Sequence, residues 1–143
     1  MKISTRGRYA LRMMIDLAQH NNDGFITLKD IAKRQNLSKK YLEQIIPNFN
    51  KSGLLQANKG HMGGYKLAKS PSAITVRDVL EQAEGSLFPV SCMENNPNLC
   101  EHCDGCLTLP VYKGLYKVII QYFESITLDD IIHQRVPEFI ETL

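Results

Sequence analysis

The sequence predicts a mainly α-helical protein that carries one small β-hairpin wing. Three segments between residues 4 and 53 repeat apolar residues at the three- and four-residue spacing of an amphipathic helix. Two short apolar segments then flank a glycine-rich stretch at residues 59–64, as in a β-hairpin. A long apolar helical segment follows after residue 106. Three helices followed by a hairpin is the order of a winged helix-turn-helix domain, so we expect that domain plus a long dimerisation helix.

The first two helices are marked by apolar spacing and by caps. The first should run over about residues 4–20, because residues 11, 14, 15 and 18 are apolar at helical spacing. The sequence Asn-Asn-Asp-Gly at residues 21–24 then breaks the chain. A second short helix should begin after Thr27, which is an N-cap residue with Asp30 three positions later.

The third helix and the hairpin complete the predicted domain. Ser38 should cap a helix whose core face consists of Tyr41, Leu42, Ile45, Ile46 and Phe49. Pro47 lies inside this pattern and predicts a kink or an early end, and Gly53 should close the helix. Strands are expected over about residues 54–58 and 65–68.

The chain divides by composition into three parts. Residues 1–70 are predicted to form the winged helix-turn-helix DNA-binding domain. Residues 71–106 should form a connecting helix, capped by the Thr-x-x-Asp sequence at residues 75–78, and a cysteine-rich loop. Residues 107–143 should form the dimerisation helix and a short helix that begins with a third Thr-x-x-Asp at residues 127–130.

Charge is distributed unevenly between the two halves of the 143-residue chain. Residues 1–70 carry 13 basic and 4 acidic side chains, whereas residues 71–143 carry 4 basic and 11 acidic ones. A basic half favours a polyanionic partner such as DNA. No apolar run approaches the length of a membrane span, and the N-terminus lacks the apolar core of a signal peptide. We therefore expect a cytoplasmic protein without a membrane partner, whose cysteines stay reduced.

The basic half contains polar residues that suit contacts with double-stranded DNA. The polar face of the third helix should enter the major groove, where glutamine pairs with adenine and glutamate accepts from cytosine. Residues at the start of the first helix suit phosphates, with Gly7 allowing close approach, and the wing tip could reach a minor groove. The alternative is a merely solvated surface. The predicted DNA contacts are Ser4, Thr5, Arg6, Arg8, Ser38, Lys39, Lys40, Tyr41, Glu43, Gln44, Lys51, Lys59 and His61.

The helix after the cysteines has a heptad pattern. Apolar residues step by three and four along it, and others lie beside this seam. A helix that is apolar on several faces must be buried on several faces, which favours a homodimer over an ordinary core helix. A two-fold dimer would bind a palindromic operator. The predicted interface consists of Tyr112, Leu115, Ile119, Tyr122 and Ile126.

The four cysteines all lie in one short segment, which suggests that they bind one group together. Cys100, Cys103 and Cys106 form a Cys-x2-Cys-x2-Cys run, and Cys92 lies eight residues upstream. The run is similar to that of ferredoxins, in which three thiolates and a remote cysteine hold a 4Fe-4S cluster. Zinc bound by all four cysteines is the main alternative, although zinc sites usually have two separate cysteine pairs. Dithiol chemistry is a third interpretation, although no thioredoxin-like pattern surrounds these residues.

Four stretches together resemble the Rrf-two family of bacterial winged-helix transcriptional regulators. They are Ser-Thr-Arg-Gly-Arg-Tyr-Ala-Leu at residues 4–11, Tyr-Leu-Glu-Gln-Ile at 41–45, the glycine-rich wing at 59–65 and Cys-Leu-Thr at 106–108. The resemblance extends over about residues 1–133. It implies a winged-helix homodimer with a long crossing helix, and a loop that holds an iron–sulfur cluster in some members.

The chain also departs from the family pattern. The resemblance matches the three usual cluster cysteines to Cys92, Cys100 and Cys106, and makes Cys103 an extra one. One branch has a histidine ligand where this chain has Leu109, and another has an aspartate ligand where it has Arg8. With both of those ligands absent, Cys103 is the expected fourth ligand, which favours 4Fe-4S over 2Fe-2S. Lys59 replaces the arginine that many members carry at the wing.

We therefore expect a DNA-binding transcriptional repressor that senses iron–sulfur, redox or nitric oxide status. A cluster-free regulator of cysteine or sulfur metabolism that acts through a partner protein is the alternative, as is a zinc-stabilised regulator. An enzyme is not expected, because the sequence has neither a nucleotide-binding glycine loop nor a Ser-His-Asp arrangement.

Overall fold

The computed structural model of the chain describes residues 1–137, and the last six positions of the predicted C-terminal part lie outside them. No helix within the described residues is long and apolar enough to cross a membrane. The elements of this part follow the predicted order, with short 3-10 turns at Pro71–Ala73, Ser91–Met93 and Cys103–Gly105. They are α1 (Thr5–Gln19), α2 (Leu28–Gln35), α3 (Lys39–Lys51), β1 (Leu55–Asn58), β2 (Gly64–Leu67), α4 (Val76–Glu84), α5 (Leu109–Glu124) and α6 (Leu128–Ile132).

Helix α3 continues through Pro47 to Lys51, so the predicted early end is wrong. A proline inside a helix removes one hydrogen bond and costs about 3 kcal/mol. The neighbouring Ile46 and Phe49 are 4% and 0% exposed. Burying two such side chains contributes about 1.5–3 kcal/mol each. Core packing on both sides of the proline therefore outweighs the lost hydrogen bond.

The wing is a two-stranded antiparallel sheet, as the sequence predicts. Its register pairs Leu55 with Leu67 and Asn58 with Gly64. Ile26, in the turn before α2, exchanges two backbone hydrogen bonds of 2.8 Å with Tyr65. A Cβ atom at Gly64 would lie 2.4 Å from the Ile26 carbonyl oxygen. Glycine at residue 64 therefore lets the wing approach the helical core.

Three helices begin with the same cap, and all three Thr-x-x-Asp predictions are confirmed. The hydroxyls of Thr27, Thr75 and Thr127 each accept from an aspartate N–H at 3.1 Å. The caps of α4 and α6 lie side by side, because residues 75 and 127 form an antiparallel bridge. The Val76 N–H donates to the Ile126 carbonyl at 2.9 Å, and the Leu128 N–H donates to that of Ile74 at 2.9 Å.

One hydrophobic core joins the winged-helix elements to later parts of the chain. Buried residues of α1, α2, α3 and the wing form a cluster with Ile74, Val79 and Leu128, which lie beyond residue 70. A second cluster, which includes Leu80 and Ile120, joins α4 to α5. Packing thus continues across residue 70, so the chain does not divide there into separate cores. The predicted functional division at residues 70 and 106 stays a prediction.

Candidate nucleic-acid interface and cysteine loop

Helix α3 presents a polar face to solvent and an apolar face to the core. Its apolar residues Leu42, Ile45, Ile46 and Phe49 are buried, and the Ser38 hydroxyl caps the helix by accepting from the Tyr41 N–H at 3.3 Å. Lys39 and Glu43 pair across one turn at 3.5 Å. This arrangement matches a recognition helix, whose outward face is free for base edges. The predicted contacts on this face that are exposed are Ser38, Lys39, Lys40, Glu43, Gln44 and Lys51.

Two predicted DNA contacts, Tyr41 and Arg6, are instead half-buried between helices. The Tyr41 ring packs edge-on against Tyr9 with the centroids 5.4 Å apart. The Arg6 guanidinium donates from Nη2 to the Gln44 carbonyl at 3.4 Å. Its Nε is inaccessible and has no hydrogen-bond partner within residues 1–137. Both side chains therefore link α1 to α3, which gives them a role in positioning the recognition helix.

The N-terminus of α1 already holds an anion from the same chain. The Ser4 hydroxyl accepts from the Gly7 N–H at 3.1 Å, which caps the helix. Both the backbone N–H and the hydroxyl of Ser4 donate to Oε1 of Glu84 at 2.8 Å. A Cβ atom at Gly7 would lie only 2.1 Å from that oxygen. The close approach that glycine permits at residue 7 is therefore that of the Glu84 carboxylate in this structure.

The other predicted phosphate and groove contacts are open to solvent. Thr5 and Arg8 are exposed on the first turn of α1, where the Arg8 guanidinium donates to the Thr5 hydroxyl at 3.0 Å. Lys59 and His61 are exposed at the tip of the wing. The wing turn is closed by a bond of 3.0 Å from the Gly63 N–H to the carbonyl of residue 60. The wing tip and the first turn of α1 therefore expose basic side chains to solvent.

A buried carboxylate joins α1 to α2. Asp16 is 1% exposed, and its two oxygens accept from the Arg34 guanidinium at 2.7 and 3.0 Å. The Gln35 amide donates to the same carboxylate at 3.1 Å. The hydrogen bond to Asp16 raises the pKa of Arg34. Hydrogen bonds and an opposite charge compensate the burial of this carboxylate, which fixes the angle between the first two helices.

The cysteine loop is ordered by local hydrogen bonds. All four thiols are free and half-buried. The Cys103 N–H donates to the Cys100 carbonyl at 3.1 Å, and the Cys100 N–H donates to the side-chain oxygen of Asn98 at 2.9 Å. Cys103 also lines a groove of about 630 Å³, together with Asn98 and with Lys113 of α5. The loop therefore lies directly against the start of α5.

Two of the thiols differ in acidity. Partial desolvation and the neighbouring Asp104 carboxylate raise the pKa of Cys103. The Thr108 hydroxyl, 3.3 Å from the Cys106 sulfur, lowers the pKa of Cys106, and the backbone N–H groups of Thr108 and Leu109 add to this effect. Because the thiolate is the form that binds metals, Cys106 is the better prepared of the two.

The four thiols of the loop are chemically suited to bind a metal centre. In this structure, however, they are not arranged around a common point. Four thiols within residues 92–106 are the ligands that iron–sulfur clusters and zinc prefer. Within residues 1–137, no three histidine, cysteine or carboxylate side chains lie close enough together to hold one metal ion. Binding would require the thiols to turn toward a common centre.

The segment directly after helix α5 is buried in its own chain, which corrects the predicted dimer seam at one position. Ile126 is 3% exposed and packs in the core with Val76 and Leu80. Its side chain is therefore not available to a second chain. Tyr112 and Ile119 are half-buried, whereas Leu115 and Tyr122 are exposed.

A second apolar face of α5 is open to solvent. It begins just before the helix at Leu107, which is 94% exposed, and passes through Val118, which is 63% exposed. The residues recur at steps of three and four, so they lie on one side of the helix. We call this face the α5 stripe, and it consists of Leu107, Val111, Leu115, Val118 and Tyr122.

Comparison with known families agrees with this architecture. The sequence profile of the Rrf2 family, described as an iron-dependent transcriptional regulator, matches residues 3–134. The chain belongs to the Rrf2 family. It is therefore a DNA-binding transcriptional regulator of the Rrf2 type, and the expected resemblance and fold class are confirmed.

Individual Rrf2 proteins resemble the chain over nearly its whole length. Protein rrf2 of Nitratidesulfovibrio vulgaris is 38% identical over 131 residues, which are 92% of this chain and 87% of that protein. The structure of IscR from T. potens has a TM-score of 0.75 and 38% identity, and the match covers 94% of this chain and 88% of that one. CymR, the global cysteine regulator of B. subtilis, has a TM-score of 0.74 and 35% identity, with 92% and 95% covered.

Sequence reasoning missed two residues that shape this Rrf2 regulator. Asp16 lies among buried residues of α1, and a carboxylate between Met13 and Leu17 was the available signal of a buried ion pair. Glu84 gave no signal, because its partner Ser4 lies 80 residues away in the sequence.

Proposed function

We propose that this Rrf2 regulator senses iron–sulfur or redox status through an iron–sulfur cluster bound by Cys92, Cys100, Cys103 and Cys106. The proposal rests on the confinement of all four cysteines, each with a free thiol, to the loop between α4 and α5. A 4Fe-4S cluster is favoured because the chain offers four thiols and has Leu109 and Arg8 at the positions of the other expected ligands.

The loop residues would hold the cluster and link it to the DNA-binding part. A bound cluster would supply a group that can be oxidised and lost. After its loss, the four thiols would no longer be held around a common centre. Cys106 directly precedes α5, and Phe88 near the start of the loop stacks on Tyr116 of α5 with ring centroids 4.5 Å apart. A change in the order of the loop would therefore act on α5 at two places.

The same proposal includes a homodimer that represses transcription at a palindromic operator. The α5 stripe leaves apolar side chains in solvent on the described chain, and a second copy would bury them. A two-fold arrangement would place two α3 helices about one DNA turn apart. The exposed polar face of α3 and the basic wing tip would then contact the two half-sites.

Anaerobic purification followed by quantification of iron, sulfide and zinc tests the cluster. We expect iron and sulfide together with visible absorbance, which Cys92→Ala or Cys106→Ala should abolish. His102→Ala serves as the matched loop control and should keep the absorbance. If Cys103→Ala retains full iron and an unaltered spectrum, a three-cysteine site replaces the four-cysteine one. One equivalent of zinc without iron would contradict the sensor and favour a zinc-stabilised regulator.

A second candidate function is a cluster-free regulator of cysteine metabolism that acts through a partner protein. It is supported by the similarity to CymR, a global cysteine regulator. In a regulator without a cluster, the additional cysteine at Cys103 would not have to bind a metal. Metal-free protein from anaerobic cells, with an operator affinity that iron chelation leaves unchanged, would favour this second function over the first.

A further inference from the structure

The N-terminal end of α1 binds a carboxylate from a distant part of its own chain. Glu84 is the last residue of α4, and its Oε1 accepts two hydrogen bonds of 2.8 Å from Ser4. The same oxygen occupies the space beside Gly7. An acidic residue of the acidic second half thus lies on the most N-terminal helix of the basic half.

We propose that Glu84 is an intramolecular competitor of the DNA backbone for the N-terminus of α1. A helix N-terminus attracts anions through its unpaired N–H groups and its positive end of the helix dipole. The single backbone N–H of Ser4 cannot point fully at a phosphate while it donates to Glu84. The carboxylate also repels a phosphate near Thr5 and Arg8. A phosphate contact with the Ser4 N–H therefore requires Glu84 to withdraw, which makes the Ser4–Glu84 contact autoinhibitory.

The position of Glu84 directly before the cysteine loop would allow the loop to act on this contact. Gly85 follows it with a positive φ of 81°, and the loop begins there. Leu87 is buried with residues of α4 and α5. A rearrangement of residues 85–88 would move the end of α4, and with it the carboxylate. The inference rests on the proposed function in one respect, namely that the start of α1 contacts DNA phosphates.

Two variants remove the competitor in different ways. Glu84→Gln removes the charge and keeps the shape. Glu84→Ala removes both the charge and the two hydrogen bonds to Ser4. Asp23→Asn is the matched control, since it removes one negative charge from the exposed turn beyond the opposite end of α1.

The measurement is fluorescence anisotropy of the full-length protein with a random-sequence duplex at several salt concentrations. Glu84→Gln and Glu84→Ala should each bind about two- to fivefold more tightly than the parent protein. The slope of log Kd against log salt concentration should become steeper by about 0.9, which corresponds to one additional phosphate contact. Asp23→Asn should change neither quantity to that extent. Weaker or unchanged binding by both variants would overturn the proposal.

Arg8→Ala distinguishes this failure from that of the DNA interface. Should Arg8→Ala weaken binding while neither other variant tightens it, the interface stands and the competition is wrong. Should Arg8→Ala have no effect either, the start of α1 does not contact DNA, and the proposed interface is wrong there. Circular dichroism checks folding, and Glu84→Ala alone decides if Glu84→Gln is unfolded.

Discussion

At the scale of single residues, the buried carboxylate of Asp16 shows how this chain holds two helices at a fixed angle. Three donors from Arg34 and Gln35 satisfy it in a setting that is 1% exposed. The recognition helix α3 packs on both α1 and α2. The geometry at Asp16 therefore helps to fix the position of α3, which in the proposed function presents its polar face to DNA.

Asp16→Asn should destabilise the protein by about 2 kcal/mol, because it removes charge-assisted hydrogen bonds and leaves the Arg34 guanidinium without its anion. Urea unfolding followed by circular dichroism measures the loss. Glu43→Gln is the control, since its pair with Lys39 is exposed and should contribute less than about 1 kcal/mol. Equal losses for the two variants would show that burial of Asp16 has no special role.

The exposure of single residues could be predicted from the sequence where it depends only on their position in the helical repeat. The polar face of α3 follows from helical periodicity, because the opposite face must be buried. Arg6 and Glu84 could not be assigned in the same way, since their contacts depend on helices that meet only after folding. A local pattern therefore predicts which side of a helix a residue occupies but not which distant group it touches.

At the scale of elements, helix starts were predictable, whereas the partner that an apolar helix face packs against was not. The three Thr-x-x-Asp caps fixed the starts of α2, α4 and α6 because the cap is a local hydrogen-bond arrangement. Helix α5 has two apolar faces, and periodicity alone cannot say which of them faces its own core. Ile126 was assigned to the seam because the heptad spacing continues past the end of α5 at Glu124, whereas the chain there turns into its own core.

Val118→Asp should weaken the proposed dimer by about 100-fold or more, because an unpaired charge would be buried in the α5 stripe. The monomer fold should survive, since the Val118 side chain is exposed on the single chain. Lys113→Gln is the control, because it makes the same change of net charge outside the stripe. Sedimentation velocity measures the dimer, and an intact Val118→Asp dimer would show that the stripe is not the interface.

The cap of α6 should make stability depend on pH in acid. The Thr127 N–H lowers the pKa of Asp130, and the Thr127 hydroxyl contributes further. A carboxylate with a lowered pKa in the folded state stabilises the fold fully above its unfolded pKa of about 3.9, and this contribution is lost as pH falls through the folded value. The stability difference between the parent and Asp130→Asn should therefore shrink below about pH 4. A constant difference down to about pH 2 would contradict the capping role.

At the scale of the whole molecule, the two halves of the chain carry opposite net charges. Residues 1–70 contain most of the basic side chains, and residues 71–143 contain most of the acidic ones. Phosphates should therefore approach the α3 and wing side. Composition was enough to predict this uneven charge, whereas the contact between Glu84 and the start of α1 required the folded structure.

Lys40→Ala and Gln44→Ala should affect DNA binding in different ways. Lys40→Ala should weaken binding to all sequences and flatten the salt slope by about 0.9 per lost phosphate contact. Gln44→Ala should cost about 1–3 kcal/mol at the preferred base and relax specificity there. Anisotropy titrations and selection from a randomised operator measure the two effects. An unchanged base preference in the selection would remove Gln44 as a base contact.

Helix α5 is fixed at one end and joined to the cysteine loop at the other, so it has the geometry of a lever. Two backbone bonds between residues 74–76 and 126–128 form the pivot. The arm spans 16 residues, or about 24 Å. A displacement of about 2 Å at Cys106 corresponds to a rotation of about 5° at the pivot. In a two-fold dimer the rotations of both arms would add to about 10°. In the proposed dimer, small movements of the sulfur atoms would therefore change the angle between the two α5 helices, and with it the distance between the two DNA-binding surfaces.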